Sequence, residues 1–503
     1  MTLSLIRCTA TVALVTGLGA GGGAALAQEV TVVLPEQPAN LEPCRSIRSD
    51  IARVINMNIT ETLTIIQAET GEITPHLATE WAQVDETTWR FGIREGVEFQ
   101  DGAPLNAEAV AYSINRLMNP ALTCDTRSKF GDVTLTTDVV DEYTLDIKTD
   151  EPLPIMPTLV GTIQVHSPNL PFDEEVNEPI GTGPYTLAEA DSEHIVLQRH
   201  DGYWGEQPAV TEAKYVWRNE SAIRAAMIET GEADLTPTIA VQDATNPETD
   251  FAYLNSETTR MRIDMSIPPL DDVRVREALN LAIDWDGMGE ALFGPDIKRA
   301  TQMVVEGVLG YNPDIVPYGY DPERARALIE EARADGVPVD TEITLIGRNG
   351  FFPNSSESLE AMQALWSEIG LNVTIEELEA IDWARYLDKP FPADRGPTLF
   401  QQQHDNNTGD AGFTVPVLYL SGGQYSTVAN TDLDQIINEA VITPTGEERV
   451  ELFQQAAAKI YEEIIGDVTM YHMIGYARVG PRLDWQPDLK TNSEIRLADI
   501  EFK

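Results

Sequence analysis

The chain has 503 residues and carries 34 lysines and arginines against 82 aspartates and glutamates, a formal net charge of −48. That balance excludes nucleic acid and anionic membrane surfaces as partners, because both repel a strongly acidic protein. The length exceeds the roughly 250–300 residues that one hydrophobic core sustains, so several domains are expected, and two lobes fit.

Residues 1–27 read as a secretory signal peptide: Arg7 precedes an apolar stretch running through Leu18, and Ala25, Leu26 and Ala27 form a small-residue cleavage site. Cleavage after Ala27 predicts a periplasmic chain starting at Gln28. The apolar run is too short and too rich in glycine for the ~20 residues of a membrane span. Gly17, Gly19 and Gly22 match GxGxxG, but no strand precedes them, so no dinucleotide site follows. After cleavage the cysteines are Cys44 and Cys124. In an oxidising compartment the pair is expected as a disulfide worth ~4–5 kcal/mol, the alternative being two free buried thiols.

A strand is predicted over 30–34. Trp89, Phe91 and Ile93 alternate with polar or small residues, and Val97 and Phe99 repeat the pattern after Gly96, which predicts a hairpin. Asn106 is placed to cap a helix with Val110, Ile114 and Leu117 on one face, stopped by Pro120. Gly181, Gly183 and Tyr185 predict a tight turn. The helix over 219–231 is expected to bury Ile223, Ala226 and Met227 and to stop at Gly231. The helix from Asp272 should turn Val275, Leu279, Ala282 and Ile283 inward and leave Arg274 and Arg276 to carboxylates or water. Strands over 341–346, 372–376 and 398–402 alternate with helices, which predicts an α/β chain. Trp366 is assigned to the core. Phe453, Ala457, Ile460 and Ile464 recur at helical spacing after the turn at 444–446.

The sequence has no GxSxG, HExxH or CxxC, and His76, His166, His194, His200, His404 and His472 are scattered without metal-ligand spacing. No metal or cofactor is expected. A secreted hydrolase is the weaker alternative, and it would need an acid–base pair of perturbed pKa in a cleft.

Several blocks occur in a telling order. Residues 73–116 come first, then PIGTGPY at 179–185, Tyr203-Trp204-Gly205, 222–235, DVRVREALNLAID at 272–284, and 433–464. Together they resemble the extracytoplasmic solute-binding proteins of ABC importers, family 5, which carry peptides, nickel and some sugars or opines. The resemblance implies a two-lobed periplasmic-binding-protein (Venus-flytrap) fold of the large type II-like class, with an extra inserted subdomain. Lobe I would comprise 28–49, 163–262 and 476–503, its inserted subdomain 50–162, and lobe II 263–475. It also implies a monomeric receptor, not an enzyme, that closes on a small polar solute and delivers it to ABC permease and ATPase subunits. The solute would be a di- or oligopeptide, alternatively an opine or oligosaccharide.

The dipeptide-binding branch of that family is the one most similar in the second lobe. There the resemblance makes Arg348 the grip for a ligand carboxylate, a task suited to a planar donor fork, the alternative being a hinge or surface ion pair. The segment QHDNNTGD at 403–410 follows a strand where peptide binders keep an aspartate for the ligand's ammonium. Asp405 is the first choice and Asp410 the second, with His404 and Asn406 beside them. The family's Trp before that Asp is absent and the loop is rich in amides, which suit neutral hydroxyls as well as peptide groups. Trp383 either stacks on the ligand or anchors its helix. Arg45 and Arg48, after the first strand, either line the cleft mouth or stay solvated.

Overall fold

The computed structural model describes residues 28–38, 40–45, 51–67, 72–130, 133–406 and 408–503. The expected signal peptide, Arg48 and Asn407 lie outside the described residues. Two long antiparallel strands, Asp250–Ile263 and Asp467–Val479, lie side by side at the centre of an 11-stranded sheet. On one side Thr398–Asp405 pairs antiparallel with Asp250–Ile263, and Ile343–Arg348 and Val373–Leu378 follow in parallel. On the other side Leu235–Thr236 leads to Glu29–Leu34, Glu212–Trp217, Ile195–Arg199 and Tyr185–Ala190. A separate four-stranded sheet contains Ala78–Asp85, Thr88–Ile93, Thr144–Thr149 and Leu135–Asp141.

Each part of this framework has its own core. Phe91, Val110 and Leu159 belong to one that stays within residues 44–165. Val32, Tyr215 and Leu235 belong to a second. Met261, Leu345 and Trp366 form part of a third, and Val415, Leu433 and Phe453 part of a fourth. Burial of such side chains supplies about 1.5–3 kcal/mol each. Trp366 is fully buried and its indole donates to Leu279 O at 2.8 Å, so its polar edge is satisfied.

Local sequence explains most elements. Asn106 accepts from Ala109 N and starts the helix Ala107–Leu117, which ends before Pro120. Gly231 closes Ser221–Thr230 at φ +75°, where a side chain would be strained. A Cβ on Gly183 would lie 2.7 Å from Asn58 O, and one on Gly181 would run into Ile59 O, so this turn depends on bare backbone. Glu447–Ala458 continues as a π-helical turn, Lys459–Ile464, with Phe453, Ala457, Ile460 and Ile464 buried as their spacing predicts.

Four expectations are corrected. Val97 and Phe99 are buried but do not pair with Thr88–Ile93, because both edges of that strand are taken by Ala78–Asp85 and Thr144–Thr149. Ile223 is 44% exposed and Ala226 is exposed with it, leaving Met227 as the buried one of the three. The buried face of its helix is rotated toward Arg224 and Ile228, since Arg224 donates to the carbonyls of Thr238, Arg218 and Asn219. Arg276 is buried and donates to Ile464 O and Leu270 O rather than to a carboxylate or water. Finally, Thr398–Asp405 stays a strand through His404 and Asp405, because Asp250–Ile263 offers a long partner.

A buried ion pair joins the two central strands. Arg260 Nη1 lies 2.8 Å from Asp467 Oδ1, Gln402 Oε1 takes the Nε proton at 2.9 Å, and Tyr419 donates to Asp467. Asp467→Asn should leave the Arg260 charge uncompensated and lower stability by about 3–5 kcal/mol in a denaturant titration.

Burial holds three imidazoles, His166, His404 and His472, at a pKa of about 4, below the ordinary 6.5. The unfolded chain therefore binds more protons between pH 4 and 6.5. Their contribution is complete above about pH 6.5 and is lost as the pH falls through about 4. His472 is 5% exposed and bonded to Thr258 Oγ1 at 2.8 Å. His472→Gln should flatten the fall in unfolding free energy over this window by up to ~3 kcal/mol, read from denaturation curves at several pH values.

Candidate functional site

Three parallel strands end on one edge of the sheet: Ile343–Arg348, Val373–Leu378 and Thr398–Asp405. Crevices beyond the carboxyl ends of such strands are where α/β sheets bind ligands. Arg348 and Asp405 are the last residues of their strands, and the register Thr344↔Thr398, Ile346↔Phe400 brings both to that edge.

Arg348 is half-buried, with its guanidinium 5.1 Å from the Phe351 ring centre and 5.8 Å from that of Trp383. Among the described residues it makes no ion pair, and its buried Nε has no hydrogen-bond partner. Two aromatic faces thus hold the side chain while leaving its donors uncommitted. Trp383 itself is 7% exposed, stacks on Phe400 at 4.9 Å and donates to Gln401 O at 3.1 Å. These contacts seat it beneath Arg348 and against the sheet.

Asp405 faces Glu257 across the strand pair, and Ser256 Oγ donates to Asp405 Oδ1. Burial, then the charge of Asp405, push the Glu257 carboxyl up to about 8, and Gln403 Nε2 donates to it. At neutral pH the Glu257 carboxyl is therefore largely protonated. Glu257 carries no sequence signal, because only the register brings it opposite Asp405.

The remaining sequence candidates fall elsewhere. Asp410 is locked to Arg449 by two bonds, at 2.8 and 3.1 Å, with both side chains 2% exposed or less, and it also accepts from Gly412 N. A ligand ammonium could reach it only by breaking that pair. Asn406 spends its amide on Ser256 O and Met303 O and its oxygen on Thr414, so it braces the turn after the strand. His404 is bonded to Thr414 Oγ1 at 3.1 Å. Arg45 makes a surface pair with Glu175 at 3.3 Å, both side chains being more than a third exposed. Cys44 and Cys124 are joined in a disulfide, Cα–Cα 4.9 Å, across 80 residues.

Next to Asp405 lies a group of charges that the sequence did not mark. Arg53 and Glu494 form an ion pair, 7% and 5% exposed, and Lys490 donates to Ile66 O. Burial alone would raise the Glu494 pKa, but Arg53, Lys490 and Arg496 outweigh it and hold the carboxyl far below its usual range. Lys490 and Glu494 line a cavity of about 450 Å³ with Gln67, Trp485 and Arg496. A second, of about 200 Å³, adjoins it through Ile65, Arg496 and Asp499 and includes Glu61, His76 and Tyr203. Glu61 accepts from His76, Tyr203, Trp204 and Thr182, so the Tyr203-Trp204-Gly205 segment supports the wall of this space.

Among the described residues, no group of three or more His, Cys, Asp or Glu side chains is arranged to hold a metal ion. Nor is any helix there long and apolar enough to cross a membrane.

The model of bacterial extracellular solute-binding proteins, family 5 (middle), matches residues 72–417. The chain is 26% identical over 432 residues to the dipeptide-binding protein of Escherichia coli strain K12, covering 78% of this chain and 80% of that protein. It superposes on HbpA2 from Haemophilus parasuis with a TM-score of 0.83 at 20% identity, covering 94% of this chain and all of that one. DppA from Helicobacter pylori, in complex with peptide STSA, gives a TM-score of 0.75 at 19% identity over 94% of this chain and 98% of that one. With most of its length matched, the chain belongs to the family 5 bacterial extracellular solute-binding proteins and has their two-lobed α/β fold.

Proposed function

We propose that this protein is the periplasmic receptor of an ABC importer and that it captures a di- or oligopeptide between its lobes. The observation that carries the ligand assignment is the placement of Arg348 and Asp405 at the ends of neighbouring parallel strands, with the Arg348 donors unpaired among the described residues. A guanidinium and a carboxylate on one edge suit the two ends of a zwitterion. Glu257, able to lose its proton as an ammonium arrives, adds to the negative pole. The likeness to a dipeptide-binding protein supports the same reading.

The lobes follow the division 28–49, 163–262 and 476–503 for lobe I, 50–162 for its inserted subdomain and 263–475 for lobe II. The separate hydrophobic cores support it in outline, with Val54, Ile55 and Ile59 packing into the core of the main part of lobe I and Cys44, Ile163 and Val165 into that of the subdomain. The protein acts as a monomer after cleavage behind Ala27 and hands its cargo to permease and ATPase subunits. Closure uses only contacts that are better made in the closed form.

The Glu257 and Asp405 pair favours one second reading, a hydrolase in which a carboxyl of raised pKa works beside a second acidic side chain. Incubation with peptide and oligosaccharide pools, followed by mass spectrometry, should return the pools uncleaved; turnover would establish the enzyme instead.

A thermal-shift screen of residues 28–503 against peptides, opines and oligosaccharides should find its response among the peptides, since ligand at 100 times its Kd adds ~2.7 kcal/mol. Arg348→Ala should weaken binding of a responding peptide by about 30-fold or more, from the ~2 kcal/mol or more lost when one partner of a charge pair is truncated. Its ligand-free melting temperature should stay within a degree or two of the parent. Unchanged affinity in a calorimetric titration would remove Arg348 from the site.

A further inference from the structure

Among the described residues of the charge group beside Asp405, Lys129 is the one whose donor atom finds no partner. It lies in the 3-10 turn Asp125–Phe130, directly after the disulfide at Cys124, and Thr126 Oγ1 ties the same turn to Cys44 O at 3.2 Å. Its Nζ is buried and has no hydrogen-bond partner among the described residues. The charges of the described residues that act on it most strongly are those of Arg53 from the helix Ile51–Asn56, Asp405 from the strand Thr398–Asp405, and Lys490 and Glu494 from the C-terminal segment.

Both of these carboxylates are engaged elsewhere. Glu494 pairs with Arg53, and Asp405 accepts from Ser256, while neither forms an ion pair with Lys129. Among the described residues whose charges act most strongly here, three cations thus stand against two carboxylates, in a chain whose overall charge is −48. An ammonium with three donors and no acceptor is costly to bury unless something arrives to accept from it. Removal from water, reinforced by Arg53, brings its pKa down to about 7, so an arriving anion would draw a proton onto it near neutral pH.

We propose that Lys129 is the seat for a ligand carboxylate beyond the one held by Arg348, and that the receptor therefore selects acidic peptides over neutral ones. This rests on the peptide reading above and deepens it: Arg348 takes the terminal carboxylate, and Lys129 takes an aspartate or glutamate side chain. An ammonium is a compact point charge without a fork, so it sets the sign of the guest and not its shape.

The test is a calorimetric titration of the wild-type protein and Lys129→Met with three probe pools: neutral dipeptides, dipeptides containing Asp or Glu, and dicarboxylates without an amine. Wild type should prefer acidic over neutral dipeptides by tenfold or more. The preference should shrink as the pH is raised from 6 to 9, and binding near pH 7.5 should take up protons. In Lys129→Met the ratio should collapse toward one, and in Lys129→Arg a preference should persist.

Lys129→Met should fold, with a ligand-free melting temperature at or above the parent's, because it removes a buried charge. Equal affinity of wild type for neutral and acidic dipeptides would overturn the assignment while leaving the peptide receptor intact. Binding of dicarboxylates but no peptide, lost in Lys129→Met, would keep Lys129 as an anion seat and remove the peptide reading. Silence from all three pools would overturn both.

Discussion

The pairing of Asp250–Ile263 with Asp467–Val479 is the constraint on which the rest of the molecule depends. These strands are long because they serve both halves of the sheet. The first half of Asp250–Ile263 pairs against residues 474–478, and its second half also carries Thr398–Asp405 on its other side. Between the two halves the register shifts, once between Leu254 and Thr258 and again between Thr258 and Arg260. A bulge bends a strand and increases its twist. The two halves can thus differ in direction without losing the ladder. The Arg260–Asp467 pair, with Gln402 and Tyr419, fixes the register just beyond the shift.

That register decides what the cleft contains. Glu257 faces Asp405 because Arg260 faces Gln402, so a slip of one residue would turn the Glu257 side chain to the opposite face of the sheet. Ser256, one residue earlier, supplies the hydroxyl to Asp405 and the carbonyl that holds Asn406. Lys129 arrives from a different part of the chain, and the disulfide limits where it can arrive, since its turn is tied to the segment at Cys44. The proposed site is assembled from a sheet edge, a tethered turn and the C-terminal segment, each positioned by a separate core.

Much of this was legible from local pattern. The Asn106 cap, the Gly231 stop and the buried stripe from Phe453 to Ile464 follow from rules that act within a few residues. The family blocks led to the two-lobed fold. Pairing was harder to read. Val97 and Phe99 alternate like a strand, yet the strand they were expected to join has no open edge. Periodicity could not show that Arg224 and Arg276 would be buried against carbonyls, since charged residues are read as outward-facing by default. Within the candidate site, Arg348 and Asp405 share the predicted sheet edge. Asp410 does not join them, because its partner Arg449 is 39 residues away in sequence. Glu257 became visible only through a strand pairing that spans more than a hundred residues, and Lys129 only through charges that distant parts of the chain bring to it.

The overall charge and the charge of the cleft operate at different ranges. A surface of −48 repels anions at a distance, but at physiological ionic strength that field fades within ~8 Å. Around Lys129 the relevant neighbours are a few buried groups in a medium that screens poorly, where each unbalanced charge weighs far more than one on the surface. An acidic exterior and a cationic seat are therefore compatible. The exterior slows the approach of an anionic solute without removing the gain it makes once inside. On the proposed reading, selection by sign is consequently a matter of how long the solute stays, set by Lys129, Arg348 and the paired carboxyls, and not of how fast it is drawn in.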